Sequence, residues 1–325
     1  MNPEQRYGRH KSAVERLLRS FIIEQKPRSL YTPAKYVITA GGKRIRPVIT
    51  MLACEAVGGE ASEALHAAVG IEILHNFTLV HDDIMDHADT RRGRQTVHRK
   101  WDQNIAILAG DALLALAYRA LLKTKTSRIQ EICRIFTEGV LTVCEGQSLD
   151  KEFETRHRVH VNEYLSMIEK KTGRLVSVAV HVGGLIGDAT SAELEALRRY
   201  GEFVGRAFQL QDDLLDIVAD EKELGKALGG DLVEGKKTFL LLEALRRAKG
   251  EQKKLLQRVF TEGGVPRKQV PAFRRIYEET GVIDSAKKRI ENDIAEAKDQ
   301  LSALPSTTAR ETLRWLTEKL LHRTF

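Results

Sequence analysis

The sequence predicts an all-α protein, and three observations carry that reading. No proline occurs between Pro47 and Pro266, although proline breaks helices and punctuates loops. Within that stretch apolar residues recur at helical three- and four-residue steps. The Val, Ile and Thr alternation typical of strands is scarce.

Ala67, Ala68, Ile71, Leu74 and Leu79 put an apolar face on a helix over residues 64–85. The same spacing predicts helices over 105–122, 129–149, 164–186, 192–218 and 238–248. The segment 176–186, VSVAVHVGGLI, is the weakest of these, because of its β-branched residues and glycine pair. Gly58-Gly59, Gly187-Asp188, Gly229-Gly230 and Gly263-Gly264 read as helix stops. Residues 266–325 read as polar-faced amphipathic helices that offer little chemistry. No linker or low-complexity tract appears, and motifs sit both early and late in the chain. That distribution predicts one domain, residues 1–325, whose ends close around a shared cavity.

The chain of 325 residues is 42% apolar and 30% charged, the composition of an ordinary globular protein with a sizeable core. Its net charge of +7 is spread among 45 acids, and aromatics are only 6%. A nucleic-acid partner would call for a dense basic stripe with stacking aromatics, so that class is excluded. Phosphorylated small molecules fit the excess better. Cys54, Cys133 and Cys144 form no CxxC or Cys/His spacing and read as buried free thiols of a reducing compartment. The N-terminal MNPEQRYGRHKSAVERLLRS is too charged for a signal peptide. No uninterrupted apolar stretch reaches the roughly 20 residues that span a bilayer. The expectation is a cytoplasmic protein without stable membrane insertion.

Two acidic clusters carry the chemistry: Asp82-Asp83-Ile-Met-Asp86 and Asp212-Asp213-Leu-Leu-Asp216, both of the form DDxxD. In each, the first and last aspartates are four apart and share a helix face. Each follows an apolar run, where three carboxylates are costly unless cations compensate them. Magnesium suits them, because it takes hard oxygen ligands and shares its shell with water and substrate phosphates. One such cluster alone could be an exposed acidic helix end; two copies point to paired metal sites.

Basic residues suited to diphosphate surround them. Gly41-Gly42-Lys43-Arg44-Ile45-Arg46-Pro47 is a glycine turn that presents three cations together. Arg91-Arg92-Gly93-Arg94 follows the first cluster, and Lys170-Lys171-Thr172, Lys226 and Lys236-Lys237-Thr238 flank the second. Each run alone would be a solvated face; their repeated placement beside carboxylates favours phosphate clamping. The stretch GDLVEGKK, Gly230 to Lys237, nearly matches a P-loop. Lys237 stands where Ser or Thr is required and no strand precedes it, so nucleotide cradling is rejected.

The segments GGKRIRP, HNFTLVHDDIMDHADTRRG, KKTG, FQLQDDLLD and LGKALGGDLVEGKKT, in order from Gly41 to Thr238, resemble the trans-prenyl diphosphate synthases of the farnesyl and geranylgeranyl type. The resemblance implies a bundle of antiparallel helices around a deep central cavity, usually a homodimer, with the two DDxxD motifs facing each other and holding about three magnesium ions. It makes Asp82, Asp86 and Asp212 direct ligands, with Asp83, Asp213 and Asp216 supporting or water-mediated. Arg91, Lys171 and Lys226 would contact an allylic diphosphate, and Lys236 joins the substrate-binding set. Lys43, Arg46, His75 and Arg92 would hold the diphosphate of isopentenyl diphosphate. Thr172 and Gln209 would lie near the developing allylic cation. Apart from the resemblance, a lone His75 on an apolar helix would read as a hydrogen-bonded core residue.

The residues five and four before Asp82, Phe77 and Thr78, would form the floor met by the growing chain, and a bulky Phe77 implies geranylgeranyl or farnesyl length. A core-packing phenylalanine is the plain alternative. Where the family often has proline after GKxT, this chain has Phe239. Two rivals are a class I terpene cyclase, which needs no second diphosphate site, and a non-catalytic prenyl-diphosphate-binding subunit, which should have lost aspartates from one cluster.

Overall fold

The proline-free stretch is helical throughout most of its length, and the all-α expectation is met. The computed structural model describes residues 1–21, 26–219 and 228–322; Lys226 lies outside them. Backbone contacts divide the chain into two units. The first comprises Met1–Thr137, Val178–Arg198 and Leu301–Leu316; the second comprises Glu138–Ser177, Arg199–Gln300 and Thr317–Phe325.

In the first unit the helices are α1 (Pro3–Phe21), α2 (Arg28–Ile38), α3 (Ile45–Ala56), α4 (Leu65–Met85), the short α5 (Val97–Lys100) and α6 (Gln103–Leu121). Pro47 is tolerated because it falls in the first turn of α3, where its missing N–H has no helical partner to lose. Asp102 caps α6, its carboxylate accepting from the Ile105 amide at 2.8 Å. Helix α4 is the centre of this unit and is buried from Ala67 to Leu74. Small residues let α6 approach it closely: a Cβ on Gly70 would lie 2.9 Å from the Ala117 carbonyl oxygen. Helix α6 is long and apolar enough to cross a membrane by length and composition alone. Its Ala106, Ala109, Leu113 and Ala117 are buried within the unit instead.

Helix α7 (Ile129–Thr155) ends in the second unit, followed by α8 (Val161–Ile168), a π-helical turn (Glu169–Gly173) and α9 (Arg174–Ile186). The single helix expected over 164–186 is therefore interrupted by the π turn, whose polar EKKTG leaves no break in the apolar spacing. The doubtful β-branched segment is helical because almost every side chain is buried, Val178, Val180, Val182 and Leu185 among them. Gly183 admits the Thr50 carbonyl of α3 where any Cβ would collide with it.

The long α10 (Ser191–Val218) is followed by α11 (Gly230–Val233), α12 (Phe239–Arg247), α13 (Gly250–Glu262), α14 (Val270–Glu279), α15 (Val282–Gln300) and α16 (Thr308–His322). Gly229-Gly230 starts α11, with Gly229 at a left-handed φ of 71° as its N-cap, so this pair is a start rather than a stop. Gly263 closes α13 at φ 68° as expected. The core of the second unit joins Tyr164, Leu165 and Ile168 to Leu210, Leu214, Leu240, Phe273 and Tyr277.

Among the described residues the one β-ladder pairs Thr90–Arg91 with Arg94–Gln95. Its turn residues Arg92 and Gly93 both have positive φ, 53° and 71°, which matches the twist of a two-residue hairpin. All three cysteines are free, but only Cys54 is buried. Cys133 is half-buried and Cys144 is on an exposed face of α7, so the expectation of three buried thiols holds for one.

Candidate active site

In the first unit the diphosphate-type cations converge on α4. Asp82 and Asp86 share its last turn, the Asp86 amide donating to the Asp82 carbonyl at 2.8 Å, and Asp86 is exposed. Asp83 points the other way. It is buried and accepts from Arg91 Nε at 2.6 Å. Burial raises its carboxyl above the usual range and the Arg91 charge opposes that shift. The split within one DDxxD follows from helical geometry, since neighbours along a helix face different directions.

Arg92 lies on the hairpin and turns towards the glycine loop. Its Nη1 donates to the Gly41 carbonyl at 2.6 Å and lies 3.5 Å from Asn76 Oδ1. Gly42, at φ 142°, lets the guanidinium sit over the loop: a Cβ there would be 3.2 Å from Arg92 Cζ. Arg46 Nη1 is 3.4 Å from His75 Nε2. Burial, with Arg46 and Arg92 nearby, lowers the His75 pKa well below the ordinary value, so the ring is neutral near pH 7. Lys43 is exposed, and its carbonyl accepts from the Tyr7 hydroxyl of α1.

The three cations of the glycine loop are not presented together. Arg44, 3% exposed, turns inward, where it donates to Glu72 at 2.6 Å, Glu15 at 2.7 Å and the Ile38 carbonyl at 2.8 Å. Its left-handed φ of 57° at the α3 N-cap sends the side chain away from those of Lys43 and Arg46. A narrow cleft beside the hairpin is lined by Tyr36, Asn76, Asp83, Arg91 and Arg92, among others.

In the second unit a cleft of about 120 Å³ is lined by Asp150, Tyr164, Lys171, Gln209, Asp212, Asp213, Asp231 and Lys236, with Met167 and Ile168 among its apolar contacts. Asp212 is half-exposed at this cleft. Asp213 is buried, accepting from the Tyr164 hydroxyl and from Gln209 Nε2 at 3.1 Å. Burial holds its carboxyl well above the usual range, with the Asp231 charge adding to the shift. Asp216 is buried and accepts the Asp231 amide at 3.0 Å, holding the start of α11. Lys171 donates to Asp150 at 2.6 Å, and the Thr172 hydroxyl donates to Gln209 Oε1 at 2.9 Å.

The π turn that carries Lys171 and Thr172 is fixed by close backbone approaches and by an ion pair. A Cβ on Gly146 of α7 would collide with the Lys171 backbone nitrogen, and one on Gly205 of α10 with the Gly173 Cα. Arg206 donates to Glu169 at 2.6 Å and to both oxygens of Asp293. In the lysine pair after the cleft, Lys236 meets Glu234 at 2.8 Å. Lys237 is buried and ties down the Phe153 and Glu154 carbonyls that end α7. Thr238 is the N-cap of α12, and Phe239, buried at its first position, replaces the expected proline without breaking the helix.

Phe77 is buried at 8% exposure, its ring edge-on to His81 at 4.7 Å, and Thr78 donates to the His75 carbonyl. Sequence reasoning gave Arg44 the wrong role and missed Glu72, Asn76, Tyr164, Asp150 and Asp231. Glu72 and Asn76 do leave a signal, being polar residues inside the apolar run of α4.

The carboxylate chemistry fits magnesium, with a qualification set by geometry. Among the described residues no three His, Cys, Asp or Glu side chains gather closely enough to hold an ion by themselves. Such donors suit a metal whose shell is completed by water and substrate phosphates.

Helices that end in aspartates half-exposed beside arginines and lysines define an all-α class built to bind diphosphates. Residues 27–279 match the family model described as Polyprenyl synthetase. The chain is 38% identical over 316 residues to the geranylgeranyl diphosphate synthase of Methanosarcina mazei, covering 97% of this chain and 96% of that one. Its fold is similar to the crystal structure of geranylgeranyl pyrophosphate synthetase from Pyrococcus horikoshii, with a TM-score of 0.93 and 38% identity over 98% of this chain and 99% of that one. A polyprenyl synthase from Caulobacter crescentus, complexed with calcium and isoprenyl diphosphate, is similar at a TM-score of 0.90 and 28% identity over 99% and 98% of the two chains. The chain belongs to the polyprenyl synthetase family.

Proposed function

We propose that this prenyltransferase condenses isopentenyl diphosphate with dimethylallyl, geranyl and farnesyl diphosphates to a linear all-trans product, with geranylgeranyl diphosphate as its end point. The observation that carries the reading is the Arg46, His75 and Arg92 set beside the first aspartate cluster. A cyclase has no use for a second diphosphate site, and a subunit that had lost catalysis would not need both DDxxD clusters intact. The names of the relatives support the product.

In this reading Asp82, Asp86 and Asp212, with Asp83, Asp213 and Asp216 behind them, would hold about three magnesium ions, which would supply positive charge for the departing diphosphate. Arg91, Lys171, Lys226 and Lys236 bind the allylic diphosphate. Lys43, Arg46, neutral His75 and Arg92 bind that of isopentenyl diphosphate. The Thr172 hydroxyl and Gln209 lie close to the allylic cation, and their hydrogen bond fixes the Gln209 amide so that its nitrogen faces Asp213. Apolar walls keep water from quenching the cation.

The test is an incubation with labelled isopentenyl diphosphate, magnesium and each allylic starter, followed by chain-length analysis. Linear product ending at 20 carbons supports the proposal. A 15-carbon end point selects a farnesyl synthase, and cyclic hydrocarbon or binding without turnover overturns the synthase. In the same assay Phe77→Ala should lengthen the product by one or more five-carbon units, and an unchanged product would move the floor elsewhere.

We further read the enzyme as a cytoplasmic homodimer, one domain in function, that pairs through α6. Leu108 and Ala115 of α6 and Leu122, its C-cap, follow at seven-residue steps, the two leucines 52% and 61% exposed. Sedimentation should then return twice the chain mass of 36.6 kDa, whereas a single-chain mass would refute the pairing.

A further inference from the structure

Behind the arginine proposed to hold isopentenyl diphosphate runs a buried polar chain that the reaction scheme leaves unassigned. Asn76, with no exposed surface, sits one turn after Glu72 on α4. Its amide nitrogen donates to the Glu72 carbonyl at 2.7 Å and lies 3.3 Å from Glu72 Oε1. Both donors of the amide are therefore spent on Glu72, and its oxygen is left facing Arg92 at 3.5 Å. A side-chain amide can in general be turned over with little change of shape. Here the buried carboxylate fixes which end faces the guanidinium, because the flipped amide would set oxygen against oxygen at Glu72.

Glu72 is itself held. Only 2% exposed, it accepts from Arg44 Nη1 at 2.6 Å, and Arg44 is anchored on Glu15 and the Ile38 carbonyl. The charges of Arg46 and Arg92 also act on this region, and Glu72 favours the charged form of both. A buried carboxylate among guanidinium groups offsets part of their mutual repulsion. On the other side of Arg92, the Gly41 carbonyl takes the same Nη1. The guanidinium is thus gripped at one nitrogen, which leaves its remaining donors for a phosphate.

We propose that Asn76, oriented by Glu72, is a positioning residue that sets the direction of Arg92 and so tunes affinity for isopentenyl diphosphate and not for the allylic partner. The inference rests on the reading of Arg92 as part of the isopentenyl site. A side chain that only filled the core would affect both substrates alike, through stability. An orienting residue acts on one substrate and only through Arg92.

Steady-state kinetics on Asn76→Ala, Arg92→Ala and the double variant separate these cases. Asn76→Ala should raise KM for isopentenyl diphosphate about 5- to 10-fold, at or below the low end for a hydrogen bond to a charged group because the contact is long, 3.5 Å. KM for the allylic substrate and kcat should stay within about twofold. In the Arg92→Ala background the same change should add less than about twofold, the signature of two residues acting as a unit. Asn76→Asp, which keeps the size of the side chain but sets a carboxylate against Glu72 and removes the amide donors, should reproduce the selective rise if Asn76→Ala folds poorly. Independent multiplication of the two effects, or equal rises for both substrates, overturns the proposal. A raised isopentenyl KM in Arg92→Ala with none in Asn76→Ala or Asn76→Asp overturns the relay alone. An unchanged KM in Arg92→Ala overturns the isopentenyl-site reading and the relay with it.

Discussion

Asp212→Ala should lower kcat by about 10²–10³-fold while the protein remains folded, the range seen when one preorganised stabiliser of developing charge is removed. Asp212 is half-exposed at the cleft that also holds Lys171 and Lys236. Asp212 is half-buried and Asp213 and Asp216 are fully buried, so of the three carboxylates its removal disturbs the core least and the loss falls on chemistry. Asp213→Asn is the informative control. That carboxyl is buried against Tyr164 and Gln209, so its amide isostere should disturb packing and pKa before it disturbs the metal. Asp82→Ala on α4 should parallel Asp212→Ala. The pair is measured by single-turnover rates at saturating magnesium with thermal unfolding alongside. Rates within tenfold of the parent for both alanine variants would refute the metal-site reading.

The largest effect on stability should come from Arg44→Ala. It removes the guanidinium that meets Glu72, Glu15 and the Ile38 carbonyl at once, with Glu72 almost wholly buried. Breaking a buried ion pair from one side costs about 3–5 kcal/mol, because the remaining charge stays desolvated. Arg46 and Arg92 lie in the field of Glu72 and offset part of that, which points to the lower end of the range. At about 2–4 °C per kcal/mol for a large chain, the melting temperature should fall by roughly 6–12 °C. Adding Glu72→Gln to Arg44→Ala should recover some of the loss, since a neutral amide is cheaper to bury. A fall of less than about 3 °C, or a further fall in the double variant, would show that the network carries little of the stability.

Most of the architecture was legible because burial imposes a period on the sequence. The stripes that predict α4, α6, α10 and α12 come within a few residues of the observed helices. The aspartate clusters stand out because carboxylates after an apolar run are uncommon. What was not legible depends on direction within a run of like residues. Lys43, Arg44 and Arg46 look equivalent as letters, and only the left-handed backbone at Arg44 shows that one of them serves the interior. Lys236 and Lys237 divide in the same way, one at the cleft and one gripping the end of α7. The hairpin at Thr90–Gln95 escaped notice because two-residue strands leave no alternation to read. Its Arg92-Gly93 step was the available hint. In α4, Asn76 was legible only as an anomaly, and its role needs the position of Glu72 one turn away.

The π turn at Glu169–Gly173 acts as a reading frame for the helix that follows. A π-helical step inserts one residue into the ladder, so everything after Gly173 is advanced by about 100° relative to an unbroken α-helix. Deleting one residue from this turn would restore regular helix and look harmless by propensity. It would also swing Lys171 and Thr172, or else the buried valines of α9, off the faces they now occupy. Gly146 and Gly205, far from the turn in sequence, are what make room for the insertion. Attempts to diversify such an enzyme should treat those two glycines and the length of EKKTG as one indivisible unit of inheritance, and look for plasticity at Phe77 instead.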